Sequence, residues 1–112
     1  MITTTMFGDL TVARLDHPRL IAANAPNFRK DVLDLVDQGH SRLVVDLSGV
    51  SFIDSTGLGA LVALFKHIGM RGDLAIAGLT PPVAQMFKLT RMDRVFRIYR
   101  TVEESLDGLK AA

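Results

Sequence analysis

One short segment, residues 43–47 (LVVDL), constrains the fold of this 112-residue chain more than any other feature. Its length and its β-branched residues fit a β-strand, and a nearly unbroken apolar run is typical of a strand covered on both faces. Residues 74–77 (LAIA) have the same character. Because helical patterns separate these segments along the chain, we predict a mixed α/β fold with a buried central sheet.

Periodicity and turn residues indicate the other elements. The further predicted strands are residues 2–7, 10–15 and 95–99. The first two are expected to pair across a hairpin turn at Gly8-Asp9. The predicted helices begin at the N-cap Asn24, near Ser55, at Pro82 and after Thr101. Glu104 would complete a capping box with Thr101, so the expected order is β, β, α, β, α, β, α, β, α.

The predicted helices carry apolar residues at helical spacing, which we expect to face the core. In the helix that begins near Ser55 these residues are Leu58, Leu61, Val62, Phe65 and Ile68. In the other three helices they are Phe28, Val32, Leu35 and Val36, then Val83, Met86 and Phe87, and finally Val102, Leu106 and Leu109.

Composition narrows the class of protein. The chain has 13 basic and 12 acidic residues, and a net charge of +1 gives no reason to expect binding to nucleic acid or to an anionic membrane. It has no cysteine, which excludes disulfides, zinc-thiolate sites and thiol catalysis. We expect a single domain over residues 1–112, without a signal peptide, a membrane-inserted segment or a cofactor, in the cytoplasm.

The most informative segment is residues 44–59 (VVDLSGVSFIDSTGLG), where a buried strand leads through a polar turn into a helix. Asp54, Ser55 and Thr56 are good capping residues at the end of a helix that has unpaired N–H groups and a positive dipole. A phosphate on the Ser55 hydroxyl would be well placed to accept backbone N–H bonds. Local chemistry alone favours the simpler interpretation, in which Ser55 only caps the helix.

Two glycines follow these capping residues. Gly57 and Gly59 lack side chains that would shield the helix backbone, so a partner is expected to approach it closely. Gly57→Arg is therefore expected to block partner binding while leaving the fold intact. Leu58 would supply an apolar contact at the same surface.

The segment DSTGLG at residues 54–59, preceded by VDLSGV at 45–50 and by Phe52-Ile53, resembles the signature of STAS domains of the anti-anti-sigma factor type. Flanking segments resemble the same family in the same order, from about Leu10 to Leu109. These segments are residues 24–29 (NAPNFR), 77–83 (AGLTPPV), 89–96 (LTRMDRVF) and 99–106 (YRTVEESL).

The resemblance implies a small sheet of four to five strands, with about four helices packed mainly on one face. It also implies that Ser55 is phosphorylated by a partner that is both an anti-sigma factor and a serine kinase, and that a serine phosphatase reverses this. The unphosphorylated chain would bind the anti-sigma factor and free a sigma factor, acting as an anti-sigma factor antagonist and not as an enzyme. The partner-binding residues carried over from the motif are Asp54, Ser55, Thr56, Gly57, Leu58 and Gly59.

One position departs from the family pattern. The family often has Gly-x-Leu-Asp just before its first helix, and this aspartate helps to engage the kinase. Residues 18–21 of this chain read PRLI, so Ile21 replaces the acid and a basic Arg19 lies nearby. A second function therefore stays open, in which the chain is a STAS subunit of an ABC-type lipid-transport complex or of a stress-sensing complex.

Catalytic and metal-binding patterns fit the chain less well. Asp46 ends a strand, as the phosphoacceptor of a receiver domain does, but Asp9 and Asp16 are not adjacent as its Mg²⁺-binding acids would be. Ser55 lacks a Gly-x-Ser-x-Gly elbow, because Ile53 occupies the first glycine position. The three histidines, His17, His40 and His67, are scattered. We expect no catalytic residue and no metal site.

Basic residues recur at every third position late in the chain. They are Arg91, Arg94, Arg97 and Arg100. An extended segment would scatter them over a solvated face, and docking of an acidic partner is the open alternative.

Overall fold

A mixed β-sheet runs through the centre of the molecule. The structure is a computed structural model that describes residues 1–110. Within these residues the sheet's five strands are β1 (Ile2–Phe7), β2 (Leu10–Leu15), β4 (Arg42–Asp46), β6 (Asp73–Ala77) and β7 (Arg97–Tyr99). The strand order is β1-β2-β4-β6-β7, with β1 antiparallel to β2 and the other neighbours parallel. The predicted hairpin turn joins β1 to β2, and Gly8 adopts the positive φ of +65° that favours glycine there.

Four α-helices in the described part of the chain cover this sheet unequally. They are α1 (Ala25–Asp37), α2 (Ser55–Ile68), α3 (Pro81–Leu89) and α4 (Val102–Lys110). The first three pack on one face, where the larger core contains Phe28, Leu61 and Phe87. Helix α4 covers part of the other face, where Leu106 and Leu109 join a smaller cluster. The predicted mixed α/β fold, with helices mainly on one face, is confirmed.

A second, two-stranded sheet was missed by the sequence analysis. Strand β3 (Arg19–Leu20) precedes α1, strand β5 (Phe52–Ile53) precedes α2, and the two are parallel. Two-residue strands are too short to show a periodicity of their own. This small sheet holds the starts of α1 and α2 side by side, and so it builds the site described below.

The buried face of α2 is rotated from the predicted one. Its buried residues are Gly57, Ala60, Leu61, Leu64 and Ile68. Leu58 and Val62 are only half-buried, and Phe65 is 39% exposed. Helix α2 has apolar residues on several sides, so periodicity alone does not select the core face. The small residues Gly57 and Ala60 select it, because they permit close approach to the neighbouring backbone.

Three smaller predictions about element ends need correction. The last strand begins at Arg97 and not at Val95, because a 3₁₀ turn at Met92–Arg94 precedes it. Helix α3 begins at Pro81, one residue earlier than predicted. At the start of α4 the Thr101 hydroxyl accepts the Glu104 N–H at 3.1 Å, but the Glu104 carboxylate pairs with Arg100, so only half of the capping box forms.

Candidate functional site

Asp54 organises the start of α2. It is the N-cap residue, and its Oδ1 accepts a hydrogen bond from the Gly57 N–H at 2.8 Å. Its Oδ2 accepts one from the Ala22 N–H at 2.9 Å, and its own N–H donates to the Leu20 carbonyl at 3.2 Å. One side chain therefore caps α2 and fastens this helix to the loop that precedes α1.

Asn24 closes the loop before α1 from the N-cap position that the sequence predicted. Asn24 occupies the N-cap position of α1, but its side chain makes no capping hydrogen bond. Its Oδ1 accepts from the Ile21 N–H at 2.8 Å, and its Nδ2 donates to the Arg19 carbonyl at 2.8 Å. Because the side chain turns back toward β3, it shapes the loop that presents the Ala22 N–H to Asp54.

These hydrogen bonds lower the pKa of Asp54. The bond from the Gly57 N–H has the largest effect and the bond from the Ala22 N–H the next largest, since both stabilise the ionised carboxylate. A carboxyl group with a lower pKa in the folded state binds fewer protons there than in the unfolded chain. Its stabilising contribution is therefore complete above the ordinary aspartate pKa of about 3.9 and is lost as the pH falls through the lower folded-state pKa.

We predict that Asp54→Asn will be less stable than the wild type at neutral pH and that this difference will narrow toward about pH 3. Asparagine keeps one oxygen for the Gly57 N–H but loses the charge and the second oxygen that binds the Ala22 N–H. Urea unfolding of both proteins across this pH range measures the difference, with Asp107→Asn, an exposed site on α4, as the control. A difference that stays constant or widens on acidification would contradict the role given to the Asp54 charge.

Ser55 is the first residue of α2, and it is exposed. Within residues 1–110 its hydroxyl makes no hydrogen bond, and neither does that of the exposed Thr56. The interpretation of Ser55 as a helix cap is therefore wrong, because Asp54 holds that position. The Ser55 hydroxyl faces solvent at the positive end of the helix dipole, with no structural role of its own.

Gly57 and Gly59 occupy opposite environments. Gly57 is buried, and a Cβ atom built on it would lie 2.2 Å from the Leu20 carbonyl oxygen. Gly59 is exposed, and a Cβ atom there would meet nothing within 4 Å. The expectation that Gly57→Arg leaves the fold intact is wrong, since the missing side chain at Gly57 serves internal packing. Only Gly59 of this pair leaves the helix surface open.

An open groove lies between the starts of α1 and α2. Its volume is about 330 Å³, and its lining is mainly apolar. The lining residues are Ala25, Pro26, Arg29, Thr56, Gly59 and Ala60. Two of the predicted site residues, Thr56 and Gly59, therefore share a concave surface with α1, which sequence spacing alone did not indicate.

The other residues considered from the sequence do not converge on a second site. Asp9 and Asp16 lie at opposite ends of β2, where Asp9 pairs with Arg42 at 2.7 Å and Asp16 with Arg14 at 3.7 Å. The buried Asp46 accepts a hydrogen bond from the Ser48 N–H at 2.9 Å. Across residues 1–110 no group of three or more histidine, aspartate or glutamate side chains is arranged to hold a metal ion. None of the helices described has both the length and the apolarity to cross a bilayer.

Comparison with known proteins agrees with this architecture. The model of the STAS domain family matches residues 2–105. A Thermotoga maritima protein described as a candidate anti-sigma factor antagonist is 31% identical over 104 residues, which are 91% of this chain and 92% of that protein. The anti-sigma-B factor antagonist of Bacillus subtilis is 33% identical over 76 residues, which are 67% of this chain and 69% of that protein.

The solved structures give the same result. The crystal structure of a candidate anti-sigma factor antagonist from Thermotoga maritima superimposes with a TM-score of 0.88 at 28% identity, over 97% of this chain and 94% of that chain. This chain shares with that structure a mixed α/β domain, and its DSTGLG segment lies at the start of the second helix. The chain belongs to the STAS domain family, as the resemblance in its sequence predicted.

Proposed function

We propose that this chain is an anti-sigma factor antagonist that binds an anti-sigma factor through the start of α2 when Ser55 is unmodified. In this proposal the anti-sigma factor is also a serine kinase, which phosphorylates Ser55 and thereby releases itself, and a serine phosphatase restores binding. The observation that carries the proposal is the exposed Ser55 hydroxyl, which has no hydrogen bond within residues 1–110 because Asp54 caps the helix. The names of the relatives support the choice of partner.

Phosphate at this position would change binding without unfolding the domain. A phosphoserine adds about −1.5 to −2 charges at neutral pH. The dipole at the start of α2 favours such an anion by about 0.3–1 kcal/mol, so the helix tolerates it. A partner surface that fits a bare hydroxyl would instead have to desolvate a hydrated dianion, which is unfavourable without a matching cation.

The proposed partner surface consists of Asp54, Ser55, Thr56, Leu58 and Gly59, with Gly57 supporting it from below. The chain would act in the cytoplasm by binding alone, with chemistry supplied by the kinase and the phosphatase. The half-buried Leu58 contributes an apolar edge to this surface. Asp54 contributes mainly by holding the backbone of residues 54–57 in place.

Gly59→Arg tests whether the partner covers this surface. The exposed position leaves room for the side chain, so we expect the variant to remain folded and to lose partner affinity by about tenfold or more, through steric exclusion from the interface. Circular dichroism and calorimetric titration measure the two properties. The control is Lys66→Ala, which lies on the same helix as Gly59. Gly69→Arg would be unsuitable, because Gly69 has a positive φ of +53°. A folded Gly59→Arg protein with wild-type affinity would place the interface elsewhere.

Affinity purification from the native cell tests the identity of the partner. The bait would be the Ser55→Ala variant, and the Ser55→Asp variant would be the matched negative control. Mass spectrometry of the Ser55 peptide from the wild-type protein would show whether Ser55 is phosphorylated in the cell. We expect an anti-sigma factor with a kinase domain on the alanine bait and little of it on the aspartate bait. Recovery of a permease and an ATPase, or of a stress-sensing assembly, on both baits would favour the alternative STAS functions over this one.

A further inference from the structure

Two outward-facing residues lie beside each other on the small sheet next to Ser55. Arg19 on β3 is in register with Phe52 on β5, and Leu20 with Ile53. Leu20 and Ile53 are buried, so the alternation of a strand directs Arg19 and Phe52 to solvent on the same side. Phe52 is 50% exposed, and Arg19 is exposed as well. A cation and an aromatic ring are thus presented together, and the ring of Phe52 lies three residues before Ser55 in the chain.

A second cation, Arg29 of α1, lies beside the start of α2. Arg29 lines the groove shared by Thr56 and Gly59. It is exposed, as Arg19 is, and neither residue forms an ion pair within residues 1–110. Both cations therefore remain available to an incoming molecule. We call Arg19, Phe52, Ser55, Arg29 and the groove the basic rim.

Apart from the cap Asp54, the helix starts that border the basic rim carry no acidic residue. Asp54 directly precedes Ser55, and both of its oxygens already accept backbone N–H groups. Helices α1 and α2 have no acidic residue in their first turns, although acids would stabilise them there. Helix α1 carries its acidic residues, Asp31, Asp34 and Asp37, beyond its first turn, and the last two line a second groove together with Arg29. The positive ends of two helix dipoles thus reinforce the two arginines.

We propose that the partner docks an acidic segment on the basic rim, with carboxylates on Arg19 and Arg29 and an apolar side chain against Phe52. This inference rests on the proposed function and names the chemistry of the anti-sigma factor's contact surface. Arginine suits such a contact, because its planar fork binds carboxylates through two hydrogen bonds. Oppositely charged surfaces also accelerate association and exclude partners of the wrong charge.

The basic rim also gives the phosphate a specific means of release. A phosphoserine at position 55 carries about −1.5 to −2 charges, which match the two positive charges of Arg19 and Arg29. Phosphorylation would neutralise the rim and so remove its attraction for an acidic segment. The same modification thus removes a favourable charge contact in addition to adding bulk.

Charge reversal tests the basic rim directly. The probe is the purified anti-sigma factor recovered with the Ser55→Ala bait, titrated against Arg19→Glu, Arg29→Glu and the control Arg94→Glu. Arg94 is exposed, forms no ion pair within residues 1–110 and lies beside a different groove. Arg94→Glu therefore changes the net charge by the same amount as the rim variants without altering the basic rim. We expect each rim variant to lose affinity by about tenfold or more, the control to lose less than about threefold, and wild-type affinity to fall with added salt.

A second probe separates failure of this inference from failure of the proposed function. Hexaglutamate peptide, added to ¹⁵N-labelled wild-type protein at low salt, is expected to shift the amide resonances of residues 19, 29, 52 and 55. The double variant Arg19→Glu/Arg29→Glu should lose these shifts. Shifts confined to the surroundings of Arg94, or rim variants that bind the anti-sigma factor with unchanged affinity, would overturn the basic rim. A Ser55→Asp effect that persists in that case would leave the phosphorylation switch standing.

Discussion

Gly57→Ala will destabilise the folded chain by about 3 kcal/mol or more, at the upper end of the usual cost of overpacking. The added Cβ atom would lie 2.2 Å from the Leu20 carbonyl oxygen and 3.0 Å from the Ile53 side chain. The contact is with backbone, so no flexible side chain can move away. Displacing Leu20 would also disturb its hydrogen bond from the Asp54 N–H, so β3 and the start of α2 would separate together.

Gly59→Ala is the matched control for this substitution, two residues further along the same helix. A Cβ atom there meets nothing within 4 Å, and alanine is favoured over glycine in a helix by about 1 kcal/mol. We therefore expect Gly59→Ala to raise the free energy of unfolding slightly while Gly57→Ala lowers it strongly. Urea unfolding at neutral pH measures both values. Equal effects of the two substitutions would show that the close approach of Leu20 to Gly57 does not constrain the fold.

These two glycines show that the role of a glycine in a helix cannot be predicted from its local sequence alone. Their identical residue type and neighbouring positions predicted the same role, an open helix surface for a partner. Their burial differs because Gly57 faces the backbone of Leu20 in β3, 37 positions earlier in the chain, and no local pattern encodes that contact. Long-range packing against backbone decides the role of such a glycine, and it becomes visible only once the chain is folded.

Strong local signals were interpreted correctly. The unbroken apolar runs at β4 and β6, the hairpin with its turn at Gly8-Asp9 and the start of α2 at Ser55 all lie where the sequence analysis expected them. Each of these elements is specified by its own residues. The small sheet of β3 and β5 was missed because each strand contributes only two residues, and their stability comes from each other.

Cap residues were predicted less well, because several good candidates stood side by side. Asp54, Ser55 and Thr56 can all cap a helix, and the sequence does not rank them. Asp54 prevails because its second oxygen also binds the Ala22 N–H, a partner 32 positions away. Because Asp54 caps the helix, the Ser55 hydroxyl is left without a hydrogen bond within residues 1–110. The candidate site therefore depends on a contact that links two segments and not on the motif alone.

Phosphorylation of Ser55 is expected to weaken partner binding by about 100-fold or more while changing the melting temperature little. Each tenfold loss corresponds to about 1.4 kcal/mol, so the expected penalty is about 2.8 kcal/mol. A partner carboxylate left buried without its arginine, or a phosphate left buried without a cation of the partner, costs about 3–5 kcal/mol, which is sufficient. The folded domain is spared because the phosphate lies on an exposed residue at the favourable end of the α2 dipole.

The Ser55→Ala and Ser55→Asp variants bracket this effect. Alanine removes the acceptor hydroxyl without adding charge, so we expect it to bind constitutively. Aspartate carries less charge and fewer oxygens than a phosphate, so its loss of affinity should be smaller than that of the phosphoprotein. The order of affinities is therefore expected to be alanine or serine first, aspartate next and phosphoserine last.

Calorimetric titration of the anti-sigma factor with this protein, uniformly phosphorylated at Ser55 and in parallel unphosphorylated, tests the central claim most directly. Melting curves of both forms establish that each is folded. We expect the unphosphorylated form to bind and the phosphorylated form to bind at least about 100-fold more weakly, with nearly unchanged melting temperatures. Equal affinities of the two folded forms would contradict the account, and Ser55 would then be an exposed first residue of α2 without a switching role.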